Sequence, residues 1–408
     1  MNHPRHILFI NEFFHPDICA SAAVAADHLP AVAKLRPDWK ITIIAGDRAW
    51  DDPSIVYPAE GEYRGVRIVR VSRPVVSRVN LLRRVMGFAA FGRRAVKAAD
   101  GMGRIDLVVA TTAPPQGGDI ARKIARRHGC PYIYKVLDLY PDLAATLGRL
   151  KADGFLYRRW LARDMRAMRD AAMVVSIGER ISERIGRTRG VAVGKLRAVH
   201  DGFDPARIDT GGRDEFRKRY NPNGRFVVQY AGNMGLSHPF DTILAAAKSL
   251  AGARAVLFQF IGDGPQRRFV EDNLPPNAQL IDYQPAERLG EILATADVCL
   301  ISQHEEMFDK ALPYKIYGIL AAGKPCIFIG NKRSEIAQWL AESGAGLQVD
   351  QGATENLTAA IRGLESQPER AAQMGRSARG LFDKRFHAEH AAEGWVRLIE
   401  KTLSTSPA

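Results

Sequence analysis

Cysteine is scarce in this chain. Four residues in 408, Cys19, Cys130, Cys299 and Cys326, stand far apart with neither metal-ligand nor redox spacing. A disulfide framework and a thiolate metal centre are therefore excluded as organising devices, and a reducing cytoplasm with buried thiols suits them. Long apolar runs are also missing. None approaches the ~20 residues of a membrane span. Residues 1–9 lead straight into a strand, with no cleavable leader visible. There is no Walker lysine motif and no Asp-x-Asp. In Gly262-Asp-Gly-Pro265 the third glycine of a dinucleotide fingerprint is replaced by Arg267. Hydride transfer and single-domain, metal-dependent nucleotide-sugar chemistry are both disfavoured. His15, His200, His238 and His304 lack metal spacing, so no metal site is expected.

What is abundant is positive charge, and it is uneven. The net charge is +13, with 34 Lys and Arg against 19 Asp and Glu in residues 1–200. That excess of +15 suggests a polyanion facing the first half, either an anionic membrane or nucleic acid. No nucleic-acid recognition motif accompanies it. Residues 80–99 place Leu81, Val85, Phe88, Phe91 and Val96 on one side of a helix. Arg83, Arg93, Arg94 and Lys97 fall on the other side, and Arg84 lies among the apolar side chains. An ordinary domain helix explains the stripe. The concentration of charge favours these five cations, with Arg158–Arg166 and Trp160, as a membrane surface.

The length implies two or more domains. Short apolar strands alternate with helical stretches in two successive sets. Ile7–Ile10, Ile41–Ala45, Val66–Val71 (alternating like an edge strand), Asp106–Ala110, Tyr132–Leu137 and Met173–Ser176 form the first set. After a polar linker around His200–Gly224 come Phe226–Ala231, Ala255–Ile261, Gln279–Asp282, Val298–Ile301, Cys326–Ile329 and Gly346–Val349. Nearly continuous apolar strands between helices mean parallel α/β sheets. Ligands bind at the carboxyl ends of such sheets, so a cleft between two such domains is the expected site.

The loops after the strands carry the candidates. Gly232-Asn-Met-Gly235 and Gly262-Asp-Gly-Pro265 allow close approach of the backbone to a ligand. Lys310–Pro325 reads as a loop feeding a short helix near Tyr314, stopped by Gly323 and Pro325. Lys310 and Lys315 beside that helix start make a ready anion site, but on these residues alone an ordinary turn with two solvated lysines is the preferred reading. Ser21 is placed to cap the first helix. Asp138 and Asp142 flank a proline, as turn-forming residues or as a carboxylate that holds a hydroxyl or takes a proton.

Together these loops resemble glycosyltransferase family 4, in the branch that builds bacterial capsule, O-antigen and colanic-acid-type polysaccharides. Phe13-Phe-His-Pro-Asp17 is similar to the aromatic-Pro-acid loop after the first strand. Asp138-Leu-Tyr-Pro-Asp142 is similar to an Asp-Leu-Trp-Pro motif. His200-Asp-Gly-Phe-Asp204 stands at the usual Asn-Gly-Val-Asp linker. Tyr230–Gly235, Phe260–Pro265 and Pro313–Pro325 resemble the donor domain. The resemblance implies the GT-B fold, two Rossmann-like doubly wound parallel-sheet domains facing a cleft. An acceptor domain would span 1–205 and a nucleotide-sugar domain 206–385, with 386–408 returning as a helix to the first.

It further implies retaining, metal-independent transfer from a UDP- or GDP-type sugar, with no cofactor. The acceptor would be lipid-linked, at the inner face of the cell membrane, with no nucleic-acid partner. Asp138 and Lys315 would be catalytic. Gly232, Asn233, His238, Gly262, Asp263, Gly264, Glu306, Lys310, Tyr314, Ile316 and Tyr317 would meet the donor. His15, Ser21, Thr112 and Asp142 would face the acceptor. The chain departs from the family at four places. Asn233 and His238 replace the arginine and lysine that hold the diphosphate, and Lys310 and Gly318 replace the paired glutamates. A sugar-nucleotide epimerase and a degenerate transferase that only binds remain the alternatives.

Overall fold

The computed structural model describes residues 3–73, 81–252 and 255–405, the side chains of 81–85 aside. The chain divides into two units. Residues Met1–Gly202 and Ala388–Ala408 form unit 1, and Phe203–His387 form unit 2.

In chain order, unit 1 contains β1 (Arg5–Ile10), α1 (Ala20–Leu35), β2 (Trp39–Gly46), β3 (Glu60–Tyr63), β4 (Val66–Val71) and α2 (Leu81–Asp100). Next come β5 (Leu107–Thr111), α3 (Gly117–His128), β6 (Tyr132–Val136), α4 (Asp142–Thr146) and α5 (Phe155–Asp170). β7 (Met173–Ser176), α6 (Glu179–Arg189) and β8 (Leu196–Ala198) complete the first pass. The sheet order is β3-β4-β2-β1-β5-β6-β7-β8, and every pairing is parallel except β3 with β4. Helices cover a parallel sheet on both faces, which is why β1 buries five consecutive residues.

The Val66–Val71 strand is not the edge, as its alternation had suggested. β3 pairs antiparallel outside it, and Glu60, Gly61 and Glu62 of β3 stay exposed. Charge on an edge strand discourages further pairing. Neither β3 nor β8 carries a strand pattern of its own, and tertiary pairing makes them strands.

Unit 2 contains α7 (Arg213–Tyr220), β9 (Phe226–Ala231), α8 (Asp241–Ser249), β10 (Val256–Ile261), α9 (Arg267–Asp272) and β11 (Ala278–Ile281). They are followed by α10 (Leu289–Thr295), β12 (Val298–Ser302), α11 (Lys315–Ala321), β13 (Cys326–Ile329) and α12 (Glu335–Ser343). β14 (Gly346–Val349), α13 (Thr354–Glu365) and α14 (Pro368–Arg385) finish it. The stretch expected to be a polar linker therefore contains a helix, α7, which packs on α10 and buries Phe216. The sheet order is β11-β10-β9-β12-β13-β14, parallel throughout. This is a doubly wound order that reverses between β9 and β12, and its ligand position lies outside the carboxyl ends of those two strands.

The last helix, α15 (Ala388–Thr405), belongs to unit 1 and packs on α1. Its Ala392, Trp395 and Ile399 join Leu29, Val32 and the strands in one core. Full burial of a side chain of the size of Ile399 contributes roughly 1.5–3 kcal/mol, and several such side chains together hold the terminal helix.

Candidate functional site

At the carboxyl end of β9 the chain turns through Gly232, and at the end of β10 through Gly262 and Gly264. All three have positive φ, of 119°, 135° and 147°. The two loops lock into each other. Gly232 N–H donates to the Ile261 carbonyl at 2.9 Å, and Met234 N–H donates to that of Asp263 at 2.8 Å. A Cβ on Gly262 would lie 2.2 Å from the Gly232 carbonyl oxygen, so only glycine fits there. Arg267 braces the second loop, donating to the Gly262 carbonyl at 2.6 Å and to Asp282 at 2.5 Å. Its part was not legible, because Asp282 stands fifteen residues further on.

Lys315 opens α11 beside these loops. Its Nζ lies 3.8 Å from the centre of the Tyr230 ring and 3.8 Å from where a Cβ of Gly232 would stand. This ammonium is buried and makes no hydrogen bond. Burial pulls it down to about 7. An ammonium without a partner, held against an aromatic face, is poised for an anion. Ser302, at the end of β12, is fully buried, and its hydroxyl is also without a partner. No local pattern marks it.

The other residues expected at the donor divide. Asn233 and Asp263 are exposed on the two loops. Glu306 is exposed, and Tyr314 is half-buried, 5.5 Å from the Tyr317 ring. Ile316 and Tyr317 are corrections. Their side chains are fully buried in the unit 2 core, and their N–H groups donate to the carbonyls of Pro313 and Tyr314. Lys310 is another. It is buried, and its Nζ donates to the Glu306 carbonyl, so it is no solvated counter-ion. His238 stands where the family has a lysine, yet it carries no charge. Burial, and then the charge of Lys315, pull it down to about 3, and Nδ1 donates to the Ser302 carbonyl at 2.6 Å. A Cβ at Gly318 would face Phe203, Leu289 and Leu293, an apolar wall rather than a polar ligand.

Unit 1 assembles its own set at the carboxyl ends of β1, β5 and β6. The loops there contain the cis bonds His15–Pro16, Ala113–Pro114 and Tyr140–Pro141. Asn11 accepts the Thr111 hydroxyl proton, joining the ends of β1 and β5. The Thr112 hydroxyl accepts the N–H groups of Leu137 and Asp138. It therefore positions the Asp138 loop. Asp138 is half-buried. Burial, and then the charge of Asp201, push its carboxyl up to about 6. Asp201 pairs with Lys135 at 2.6 Å, both buried, and Nε2 of His28 accepts the Gly202 N–H at 2.7 Å. These groups span 174 residues of sequence, and no local pattern announced them.

Of the other acceptor-side residues, His15 is exposed and stacks on Tyr63 at 4.0 Å. Ser21 is a correction as a cap. α1 is preceded by Cys19, without a side-chain cap bond, and Ser21 Oγ lies 3.5 Å from Cys19 Sγ. Asp142 is a correction of role. It is buried against Arg184 at 2.6 Å and against Arg189. Burial alone would push its carboxyl up, but the two arginines hold it below the ordinary value. It is a structural counter-ion and not a group open to a ligand.

On α2, Phe91 and Val96 are buried and the helix packs on α3, while Arg93, Arg94 and Lys97 are exposed. The side chains of Leu81, Arg83, Arg84 and Val85 lie outside the described residues. Among the described residues no helix is long and apolar enough to cross a membrane.

Two family models match the chain in succession. A glycosyl transferase 4-like domain matches residues 29–202, and glycosyl transferases group 1 matches residues 212–381. The probable glycosyltransferase WbjE of Pseudomonas aeruginosa is 27% identical over 53% of this chain and 56% of its own. WcaI of Escherichia coli, described as a putative colanic acid biosynthesis glycosyl transferase, is 26% identical over 35% of this chain and 36% of its own. The matches thus span between about a third and about half of these relatives' length. Among solved structures, sucrose-phosphate synthase from Thermosynechococcus elongatus superposes with a TM-score of 0.76 at 14% identity, covering 98% of this chain and 100% of that one. Anabaena HepE in complex with UDP and glucose gives 0.72 at 13%, covering 97% and 100%. WaaG, a glycosyltransferase involved in lipopolysaccharide biosynthesis, gives 0.68 at 16%, covering 96% and 99%. With a 4-like domain followed by a group 1 domain over most of its length, the chain belongs to the family 4 glycosyltransferases of GT-B fold.

Proposed function

We propose that the protein moves a sugar from a nucleotide-diphosphate sugar to an acceptor hydroxyl, with retention of configuration and without a metal. The observation that carries this is the buried, unpartnered Lys315 ammonium beside the interlocked Gly232 and Gly262 loops. In the reaction the anomeric bond to the diphosphate breaks and the acceptor oxygen bonds to the anomeric carbon. The acceptor proton passes to the departing phosphate. Charge grows on the leaving group, so a cation and loop amides aimed at it favour the transition state over the ground state. Asp138, on its Thr112-anchored loop, holds the acceptor hydroxyl.

The nucleotide is of the UDP or GDP type; HepE binds UDP in its crystals. The acceptor is lipid-linked, in bacterial surface polysaccharide synthesis, and the protein works as a peripheral protein on the inner membrane face. The exposed Arg93, Arg94 and Lys97, together with the basic first half, support that reading.

Purified protein incubated with UDP- and GDP-sugars, with and without lipid extract as acceptor, tests it. Lys315→Ala should lower turnover by on the order of tenfold to a thousandfold, with the circular dichroism unchanged. Equal turnover in that variant would reduce Lys315 to a buried filler. Free or epimerised sugar without acceptor would point to an epimerase. A second reading, a transferase that binds without turning over, is favoured by Gly318 and the neutral His238. Nucleotide binding with no product from any donor would select it.

A further inference from the structure

Helix α5 opens with two apolar side chains that no core uses. Phe155 is 77% exposed and Leu156 is 63% exposed. Single exposed apolar residues are common on proteins, but two large adjacent ones call for an explanation. The turn before them, Lys151–Gly154, holds Asp153 at a positive φ of 58°. Around the pair stand Arg149, Lys151, Arg158 and Arg159, all exposed, with Asp153 the sole acid in residues 148–159. None of these four cations forms a salt bridge among the described residues. Trp160 is no part of this surface. It is half-buried and stacks on Tyr140 at 5.4 Å with planes 5° apart.

The position in the fold matters as much as the composition. The far end of α5 is tied to the start of β6, where Ala172 N–H donates to the Tyr132 carbonyl and the Tyr132 hydroxyl donates to that of Ala167. The first turn of α5 therefore lies at the opposite edge of the sheet. That edge carries Asp138 and Thr112. Helix α3 packs against both α5 and α2, and the second turn of α2 presents Met86, 63% exposed.

We infer that the start of α5 is a membrane-insertion corner. Phe155 and Leu156 enter the boundary between headgroups and acyl chains, and Arg149, Lys151, Arg158 and Arg159 lie on the phosphates of an anionic bilayer. Apolar insertion and charge attraction act together there, which neither Phe155 and Leu156 nor the four cations achieve alone. A second copy of the chain fits worse. A self-complementary contact would set the four cations against their own images, and protein interfaces deplete charge at their centre. The corner sits on the acceptor edge of unit 1, so an acceptor held in the bilayer would be met where Asp138 stands. The inference rests on the proposed lipid-linked acceptor and names the contact that reaches it.

The test is co-sedimentation of the full chain with phosphatidylcholine vesicles, with and without about one third phosphatidylglycerol, at low and high salt. Binding should need the acidic lipid. Phe155→Ser with Leu156→Ser should lower the partition coefficient at least tenfold, and so should Arg158→Gln with Arg159→Gln. Thermal stabilisation by UDP should stay the same in both. Phe155→Trp should show a blue-shifted emission with acidic vesicles and none with neutral ones. Unchanged partition of the double serine variant would overturn the inference. So would binding lost only when Arg93, Arg94 and Lys97 become glutamine, or a dimer by sedimentation velocity that the serine variant dissolves. Turnover measured without vesicles is a separate reading. If no turnover appears even with lipid extract as acceptor, beside intact vesicle binding, the proposed activity fails and the corner stands.

Discussion

The hydroxyl of Thr112 takes two backbone hydrogen bonds at once, from Leu137 at 3.0 Å and from Asp138 at 3.1 Å. A side chain from the end of one strand thus fixes the loop that leaves the next, and with it the carboxyl group assigned to the acceptor.

Thr112→Val keeps the shape but leaves two N–H groups unsatisfied, at a cost of about 1–3 kcal/mol for each that stays buried. Transfer should fall by at least tenfold, while UDP binding by calorimetry stays at the wild-type value. Thr112→Ser should restore most of the rate. A valine variant with full activity would show that Asp138 needs no such anchor.

Lys315 gives a pH dependence with a definite sign. Its folded-state value of about 7 lies below the ordinary 10.5, so the folded protein binds fewer protons than the unfolded chain between those values. Stability should therefore rise with pH across that window, and the burden should be complete below about 7. A bound diphosphate reverses the bias by pairing with the ammonium. At pH 8, UDP binding should take up a proton, seen as a buffer-dependent heat in calorimetry. Lys315→Met should abolish the uptake. Binding heats independent of buffer in the wild type would place the diphosphate elsewhere.

The buried Lys135–Asp201 pair is worth more intact than its Coulomb energy suggests, because either charge alone would be stranded. Lys135→Met should cost about 3–5 kcal/mol and lower the melting temperature. The double variant Lys135→Met with Asp201→Asn should recover a large part of it. A single variant as stable as the wild type would mean that water reaches the pair.

Much of the fold could be read from the chain. Strands such as β1, β6 and β10 announce themselves, because burial on both faces demands nearly continuous apolar runs, interrupted only by Lys135 in β6 and Gln259 in β10. β3 could not be read, since Glu60-Gly-Glu-Tyr63 becomes a strand only through β4. In the site, the glycine loops and Lys315 stood out, because close approach and a helix start leave local marks. The states of Lys310, His238 and Asp142 did not. Each is decided by a partner that local pattern does not name: the Glu306 carbonyl, the Ser302 carbonyl, and arginines 42 and 47 residues away. The exposure of Phe155 and Leu156 was hidden as well, since an apolar pair at a helix start suits a core equally well.

The return of α15 to unit 1 sets an order on the life of the chain. Phe203–His387 is one uninterrupted segment, and during synthesis all of it is made before Trp395 and Ile399 exist. The second unit can finish its core while the first still waits for a wall. A ribosome that stalls near residue 387 would release a complete unit 2 attached to an open, sticky unit 1, so quality control acting on such fragments should recognise unit 1 rather than unit 2.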